Sequence, residues 1–465
     1  MVSSQYHLVL LQSLLLLTIR LHSAICRDDD DLPTYKLSNG IHIPLVGAGI
    51  GNLQHELIPQ VMNANLIPSQ DTRLIDTAHS SNNEQILSQA LASFDATRHA
   101  QTRGGGSRDE LPPLHVVTKV WYTHLGYERT KISVKESLSL LESNSPRKVY
   151  VHMLLHWPRC NDEIEWMNCE EEELNLPQYV KDAGPPPHLD RQNAWKDSWR
   201  ALEDLYKDHS DERLSTNTAI DKPIIASIGV SNFGMDDMIK LIEFADIRPH
   251  IYQGNSWLIF HDPFLMNFLR NHDIFFQSYA VMFGILKRRQ NSPNAFHILS
   301  TLSQELNEAI QSFSFDNVAS QPAVSEATIL LAYLVNSNIG IIPRAAATAH
   351  QRENSSSSIQ AVIKHFTPDH IDKLERAITA LMQGEDLFAS VSFINAIGSA
   401  ILIHWMHPET NEEVVVSDLI HPGSVEIQKS HPGHVFVAYD SEKKIRKEFV
   451  VEAGYGEEQH FRVEL

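Results

Sequence analysis

The feature that most constrains this chain is a series of short apolar segments, several of which end in a charged or polar residue. The polar residues in these positions are Asp76, Lys119, His156, Ser231 and Asn232. A carboxylate such as Asp76 at a strand end is either a cap or a catalytic group, and the repetition favours the catalytic interpretation. Polar side chains at the carboxyl ends of successive parallel strands are typical of the active face of a (β/α)8 barrel.

Eight apolar segments with the length of buried strands precede residue 385. They lie near residues 44–46, 73–75, 115–118, 149–155, 226–230, 250–253, 274–279 and 339–342. Most of the connecting stretches have the 3.6-residue periodicity of amphipathic helices, and such alternation predicts a parallel sheet with helices outside it. No Gly-x-Gly-x-x-Gly pattern follows a strand, which disfavours an open dinucleotide-binding sheet. The predicted fold class is therefore α/β, with a (β/α)8 TIM barrel over residues 34–385.

The pattern changes after about residue 386. Short β-type runs occur near residues 400–405, 413–416, 424–428, 434–439 and 446–451, and Pro-Gly pairs separate some of them. No helical pattern intervenes, and Pro-Gly pairs are typical of turns. Residues 387–465 are therefore predicted to form a separate antiparallel β-sandwich.

Composition and the N-terminus narrow the function classes. The formal charge of −20 argues against nucleic acid as a partner, because phosphate binding requires a basic face. Residues 1–24 are predicted to be a signal peptide, because the apolar run is too short for a comfortable membrane span and a small-residue cleavage site follows it. An uncleaved anchor or a misassigned start is the alternative. We expect no stable membrane span elsewhere, and a location in the secretory pathway or outside the cell.

The chain has only three cysteines, which excludes a disulfide framework. Cys160 and Cys169 lie in one polar insert and could pair if the chain enters an oxidising compartment. Their spacing is not that of a metal site, and no His-Glu-x-x-His motif occurs. The sequence therefore predicts no metal site.

Seven motifs in the barrel region occur in the order found in the aldo-keto reductases. They are Leu-Ile-Asp-Thr-Ala, Val-Val-Thr-Lys-Val-Trp, Leu-Leu-His-Trp-Pro, Ile-Gly-Val-Ser-Asn-Phe, Tyr-Gln-Gly-Asn, Ser-Tyr-Ala and Ile-Ile-Pro-Arg. Residues 34–385 resemble that family, and the resemblance implies reduction of a small carbonyl substrate with hydride from NADPH. It assigns catalytic roles to Asp76, Lys119 and His156, and it places the family's proton-donating tyrosine at Ser81.

The serine at position 81 leaves three hypotheses open. A serine hydroxyl is a much poorer acid than a phenol, whose ordinary pKa is about 10. In the first hypothesis the reductase activity is kept, and His156, His79 or a water held by Ser81 supplies the proton. In the second the barrel binds the cofactor with weak or no turnover, and in the third the reaction is altered.

The resemblance also implies a set of cofactor-binding residues. Ser231, Asn232 and Gln253 match the contacts of the nicotinamide carboxamide, and Tyr279 matches the ring that stacks on the nicotinamide. Arg344 matches the cation for the 2′-phosphate, which favours NADPH over NADH. Residues matching the adenine contacts are His350, which stands where an arginine is usual, Glu353 and Asn354.

The C-terminal region resembles a second family, the von Hippel–Lindau β domain. The resemblance rests on Ile-His-Trp, His-Pro-Gly and Ser-His-Pro-Gly-His-Val-Phe. It implies a pocket for a hydroxyproline-containing peptide at Trp405, Ser430 and His434, with Phe436 where a tryptophan is usual. A plain β-sandwich with core aromatic residues is the alternative.

Overall fold

The computed structural model describes residues 33–67, 71–101, 111–209, 222–256, 258, 262–313, 323–442 and 444–464. The predicted signal peptide, residues 1–24, lies outside the described residues. The chain divides into two compact units, one made of residues 1–284 and 306–366 and the other of residues 285–305 and 367–465. The domain boundary between residues 385 and 387 stays a prediction.

A parallel eight-stranded sheet forms the centre of the first unit. A hairpin of β1 (Thr34–Lys36) and β2 (His42–Pro44) precedes it. The eight strands, each paired with the next along the chain, are β3 (Ala48–Gly49), β4 (Leu74–Asp76), β5 (Leu114–Val120), β6 (Val149–Leu155), β7 (Ile224–Ser231), β8 (Ile251–Asn255), β9 (Phe275–Tyr279) and β10 (Gly340–Ile341).

The two ends of this sheet approach each other, so the barrel is nearly closed. Val46 forms a parallel bridge with Ile341, and the Ile341 amide donates to the Leu45 carbonyl at 2.8 Å. The predicted parallel α/β barrel is confirmed at this level. The first strand was placed slightly too early, because Ala48 and Gly49, rather than residues 44–46, pair with β4.

Helices connect the strands, as the periodicity predicted. The helices described between residues 58 and 364 are α1 (Ile58–Leu66), α2 (Glu84–Gln101), α3 (Tyr127–Leu141), α4 (Cys169–Leu174), α5 (Gln178–Lys181), α6 (Ala194–Asp208), α7 (Met235–Phe244), α8 (Pro263–Asn271), α9 (Val281–Ile285), α10 (Pro293–Phe313), α11 (Glu326–Asn336), α12 (Thr348–Glu353) and α13 (Ser356–Lys364). Short 3-10 turns include His79–Ser81 after β4 and Tyr122–His124 after β5. All residues of β5 and β7 are buried, as expected for parallel strands that are covered on both faces.

The second unit contains residues 293–305 of α10, one further long helix and two small sheets. Its remaining elements are α14 (Pro368–Gln383), β11 (Ala389–Asn395), β12 (Ile401–Met406), β13 (Glu413–Val415), β14 (Val425–Ser430), β15 (Val435–Asp440), β16 (Arg446–Val450) and β17 (Glu458–Val463). The strand orders are β14-β11-β17 and β13-β12-β15-β16. Among the described residues no helix is long and apolar enough to cross a membrane.

The β strands of this unit differ from the prediction in two respects. Strands β11 and β17 were not predicted, and they pair in parallel rather than antiparallel. Phe393 of β11 packs against Phe436, Phe449 and Phe461, with ring centroids 5.2, 6.2 and 5.5 Å away. These rings come from both sheets, so the sheets share an apolar core. That the unit as a whole is a β-sandwich stays a prediction.

Candidate active site

The strand ends of the barrel surround one cavity of about 910 Å³. Asp76 is the last residue of β4, His156 follows β6, and Tyr279 is the last residue of β9. Because all these strands are parallel, their carboxyl ends meet at one face. The predicted site residues that line the cavity are Asp76, Ser81, Lys119, His156, Asn232, Gln253, Tyr279 and Arg344.

A buried ion pair lies at the base of this cavity. Lys119 Nζ donates to Asp76 Oδ2 at 2.7 Å and to the Thr77 carbonyl at 2.6 Å. Gln253 Nε2 donates to the same Asp76 oxygen at 2.7 Å. Asp76 and Lys119 are only 8% and 3% exposed, so each charge depends on the other for compensation. The carboxylate therefore joins side chains of three strands, as a site residue would.

His156 contributes a neutral imidazole to the same cavity. Burial lowers its pKa well below 6.5, and the nearby Lys119 charge lowers the pKa further. Its Nδ1 is buried and, among the described residues, has no hydrogen-bond partner, and its ring contacts Trp121 edge-on at 4.9 Å. A neutral imidazole donates a hydrogen bond well but is a weak acid.

Ser81 and His79 lie on the same short turn but line different cavities. Ser81, which is partly buried, lines the cavity described above. His79 instead pairs with Glu136 at 2.9 Å and lines a neighbouring cavity. Of the three proton sources considered from the sequence, the structure brings His156 and Ser81 to the cavity, whereas His79 is not among its lining residues.

Asn232 and Tyr279, two of the residues predicted to contact the nicotinamide, are hydrogen-bonded to each other in this cavity. Tyr279 donates its hydroxyl to Asn232 Oδ1 at 2.6 Å, and Asn232 Nδ2 donates to the His156 carbonyl and to Ser231 Oγ. Both amide protons are therefore used, while the second lone pair of Oδ1 remains as an acceptor. Burial raises the pKa of Tyr279 to about 12, so this phenol stays protonated at neutral pH. Ser231 is fully buried behind Asn232.

The predicted adenine and phosphate residues are only partly brought together. Arg344 lines the cavity and donates to the Gly51 carbonyl at 3.3 Å. None of the described carboxylates pairs with its guanidinium, which therefore remains available to an anion. His350 and Glu353 lie on α12 and pair with each other at 3.2 Å, and Asn354 follows this helix. These three do not belong to the cavity lining.

The polar insert that contains Cys160 and Cys169 contributes to the lining of this cavity. Trp166 and Glu172 of this insert line it. Glu172 accepts from Trp121 Nε1 at 2.7 Å and from the Tyr122 hydroxyl. The insert follows β6, and the loop after a barrel strand lies at the active face, so its place in the chain agrees with this position.

Two covalent or ionic contacts fix this insert. Cys160 and Cys169 form a disulfide, with their Cα atoms 6.0 Å apart. Arg129 on α3 forms a two-pronged bond with Glu173, at 2.8 and 2.9 Å. Paired guanidinium–carboxylate contacts of this kind define an orientation as well as an attraction. The insert therefore has a defined conformation and is bonded to α3.

In the second unit, three of the four residues predicted to bind a peptide lie together. Ser430 Oγ and His434 Nδ1 are 3.2 Å apart, and the Trp405 and His434 rings are 5.3 Å apart. Trp405 Nε1 is buried and has no partner among the described residues. Phe436 differs, because its ring is in the apolar core against Phe393.

Comparison with known proteins gives the barrel a family. The Aldo/keto reductase family pattern matches residues 61–378. The NADH-dependent D-xylose reductase of Candida parapsilosis is 24% identical over 342 residues, covering 70% of this chain and 87% of that protein. The NAD(P)H-dependent D-xylose reductase I,II of Candida tropicalis is 24% identical over 354 residues, covering 74% and 92%. The crystal structure of the aldose reductase from Schistosoma japonicum is 18% identical, with a TM-score of 0.49, and covers 76% of this chain and 96% of that one.

Because the family pattern spans more than half of the sequence and the strand-end residues meet in one cavity, this chain belongs to the aldo/keto reductase family of NAD(P)H-dependent oxidoreductases.

Proposed function

We propose that the barrel reduces a small aldehyde or ketone to the alcohol and prefers NADPH as its cofactor. The observation that carries this proposal is the buried Asp76–Lys119 pair, 2.7 Å long, in one cavity with a neutral His156. The family relation supports a nicotinamide cofactor and leaves the nucleotide and the substrate to be tested.

The residues of the cavity fit such a cofactor. Tyr279 offers a flat ring at the end of β9, and Asn232 offers a free lone pair for a carboxamide N–H. Arg344 offers a cation without a carboxylate partner among the described residues, and a charge-assisted bond to a phosphate is stronger than a neutral one. Bound NADPH would supply the hydride.

The chain's own groups then act on the substrate oxygen. His156 donates an N–H hydrogen bond to the carbonyl and stabilises the negative charge that develops there. Lys119, held by Asp76, adds positive charge close to the same atom. The new alkoxide takes its proton from a water bound by Ser81 Oγ, and bulk water restores that proton. No phenol donates this proton, so we expect the alkoxide to be protonated more slowly than it would be in a site with a catalytic tyrosine.

The cofactor and the reaction are tested separately. The purified full chain is titrated with NADPH by cofactor fluorescence, and turnover is then measured by NADPH absorbance with a small aldehyde. We expect saturable binding and a measurable kcat that disappears in a Lys119→Met variant. Absence of NADPH binding would contradict the whole proposal.

A second candidate function is favoured by Ser81 alone. If NADPH binds but no aldehyde or ketone is reduced, the barrel acts as a cofactor-binding or sensing protein. The same pair of measurements decides between the two, because binding is common to both and turnover is not.

For the C-terminal unit we propose binding of a hydroxyproline-containing peptide. The contacts of Ser430 and Trp405 with His434 support this, because they place a hydroxyl, an indole and an imidazole together. Burial lowers the pKa of His434 and nearby His431 lowers it further, so the imidazole is neutral and able to exchange a hydrogen bond with a hydroxyl.

This second proposal is tested with matched peptides. A panel of proline peptides is compared with the same peptides carrying 4-hydroxyproline, using the full chain. We expect the hydroxylated peptide to bind more tightly than the unmodified one, because only the hydroxylated peptide can complete a buried hydrogen bond in the pocket. A Ser430→Ala variant should lose this preference. Equal binding across the panel would leave a purely structural domain.

We also propose that the protein acts in the secretory pathway or outside the cell. The Cys160–Cys169 disulfide supports this location, because such bonds persist in oxidising compartments. Alkylation of the protein from cells with and without reductant, followed by mass measurement, tests it. Two freely alkylated thiols at these positions would argue against the proposal.

A further inference from the structure

A second cavity of the barrel unit brings together two imidazoles and a carboxylate. This cavity, of about 670 Å³, is lined by His79, His124 and Glu136 and shares Trp121 and Glu172 with the active-site cavity. One donor atom from each of the three residues lies within 4.8 Å of the other two. We propose that His79, His124 and Glu136 bind a single Zn²⁺ ion.

The distances suit a small tetrahedral ion. His79 Nε2 and Glu136 Oε2 are 2.9 Å apart. Around Zn²⁺, with ligands about 2.0–2.2 Å from the metal, tetrahedral donors lie roughly 3.3 Å from one another. Two histidines and one glutamate are a known zinc ligand set, in which the fourth position is left to water or another small ligand. Here the fourth position would face the cavity.

Neighbouring groups orient two of the three ligands. The Tyr179 hydroxyl donates to Glu136 Oε1 at 2.5 Å, which leaves Oε2 on the side of the histidines. Thr123 Oγ1 lies 3.1 Å from His124 Nδ1, which leaves Nε2 as the nitrogen available to a cation. Such outer contacts fix the direction of metal ligands and are a regular part of metal sites.

The position of His124 also favours a metal site over a simple pair. A hydrogen-bonded His79–Glu136 pair would account for two of the residues. It would not account for a second imidazole whose ring centroid lies 4.9 Å from that of His79.

The ion would connect two elements of the barrel unit, the turn after β4 and helix α3. His79 begins the turn His79–Ser81, and Glu136 lies on α3 (Tyr127–Leu141). Bound Zn²⁺ would therefore hold in place the turn that carries Ser81. The inference does not depend on the proposed carbonyl reduction, because it concerns a different cavity.

The test uses the full chain after treatment with a chelator. Calorimetric titration with zinc chloride should show one equivalent bound, with a matching rise in Tm. Removing one of three ligands, as in His124→Ala or the near-isosteric Glu136→Gln, should weaken binding at least about 100-fold. Tyr179→Phe should weaken binding roughly 10- to 100-fold, as loss of an orienting partner does.

Two control variants separate this site from adventitious binding to an acidic protein. His188→Ala removes a histidine of the same unit that lies outside the cluster. Asp162→Asn alters the other cluster of potential ligand residues within the described part of the chain, Cys160, Asp162 and Cys169, whose two sulfurs are joined in a disulfide. Both controls should bind zinc like the wild type. The proposal is overturned if no stoichiometric zinc binding occurs, or if a Glu136→Gln protein with an unchanged circular dichroism spectrum binds zinc normally.

Discussion

The resemblance to the family places its catalytic tyrosine at Ser81, and under the proposed function the groups that would serve a tyrosine are retained. Lys119 and Asp76 remain paired, and Ser81 and His156 line the same cavity. A tyrosine at position 81 would place a phenol near the carbonyl oxygen. Under the proposed function, this is a reductase site that lacks one proton donor.

We expect Ser81→Tyr to raise kcat/KM for a small aldehyde. General acid catalysis typically contributes about 10²- to 10⁴-fold, so even part of this gain is measurable at equal NADPH saturation. Ser81→Phe is the matched control, because it adds the ring without the hydroxyl. If the tyrosine variant binds NADPH and gains no more than the phenylalanine variant, the barrel is not a reductase missing one group.

Arg344 is the second residue whose role a single substitution tests. Its guanidinium lines the cavity without a carboxylate partner among the described residues. We expect Arg344→Ala to weaken NADPH binding by about ten- to a hundredfold, since a charge-assisted hydrogen bond contributes roughly 1.5–3 kcal/mol. NADH binding should change little, because NADH lacks the 2′-phosphate. If a fluorescence titration shows equal losses of affinity for NADPH and NADH, Arg344 does not bind the 2′-phosphate.

At the scale of elements, the insert after β6 contributes Trp166 and Glu172 to the cavity lining. Its disulfide closes a loop within the insert, and the Arg129–Glu173 bond holds the insert to α3. From the insert, Glu172 accepts hydrogen bonds from Trp121 and Tyr122. Burial and these carboxylate contacts raise the pKa of Tyr122, whose side chain is otherwise enclosed.

We expect Glu172→Gln to lower the free energy of unfolding by about 1–3 kcal/mol, because an amide accepts through one oxygen only and one buried donor loses its partner. The KM for an aldehyde should change as well, since Trp121 lines the cavity. Glu170→Gln is the matched control, because Glu170 lies on the same helix and is exposed. Thermal unfolding and steady-state kinetics measure both effects. Identical behaviour of the two variants would show that Glu172 does not fix the insert.

At the scale of the whole molecule, the barrel interior contains buried neutral histidines. His115 Nδ1 and His152 Nε2 are 3.0 Å apart, and His152 Nδ1 is 2.7 Å from Ser227 Oγ. Burial lowers the pKa of His115 to about 3, and the charge of Arg73 lowers it further. The pKa of His152 is also well below 6.5, first because of burial and then because of the neighbouring histidines.

These pKa values make folding sensitive to acid. In the unfolded chain each histidine binds a proton below about pH 6.5, whereas the folded chain does not until the pH is much lower. Stability is therefore full above pH 6.5 and is lost as the pH falls towards the folded pKa values. His115→Gln, which keeps a polar group but does not titrate, should lose about 2 kcal/mol less than the wild type between pH 7 and pH 5. Urea unfolding measures this difference, and parallel losses in both proteins would contradict it.

The sequence by itself determined the barrel and the strand ends at which the candidate site lies. Buried parallel strands are continuous apolar runs, and their carboxyl ends must share one face, so Asp76, Lys119 and His156 were predictable from periodicity and order. The two missed C-terminal strands had weaker signals, because alternation with serine in β11 and with charged residues in β17 is short.

Only the tertiary structure decided which distant side chains meet. His79 and Glu136 are 57 positions apart, and Glu172 reaches Trp121 and Tyr122 from a polar insert. The parallel pairing of β11 with β17 is equally non-local. None of these contacts leaves a periodic signal in the chain, because each depends on the path of a loop and on the packing of elements that are remote in sequence.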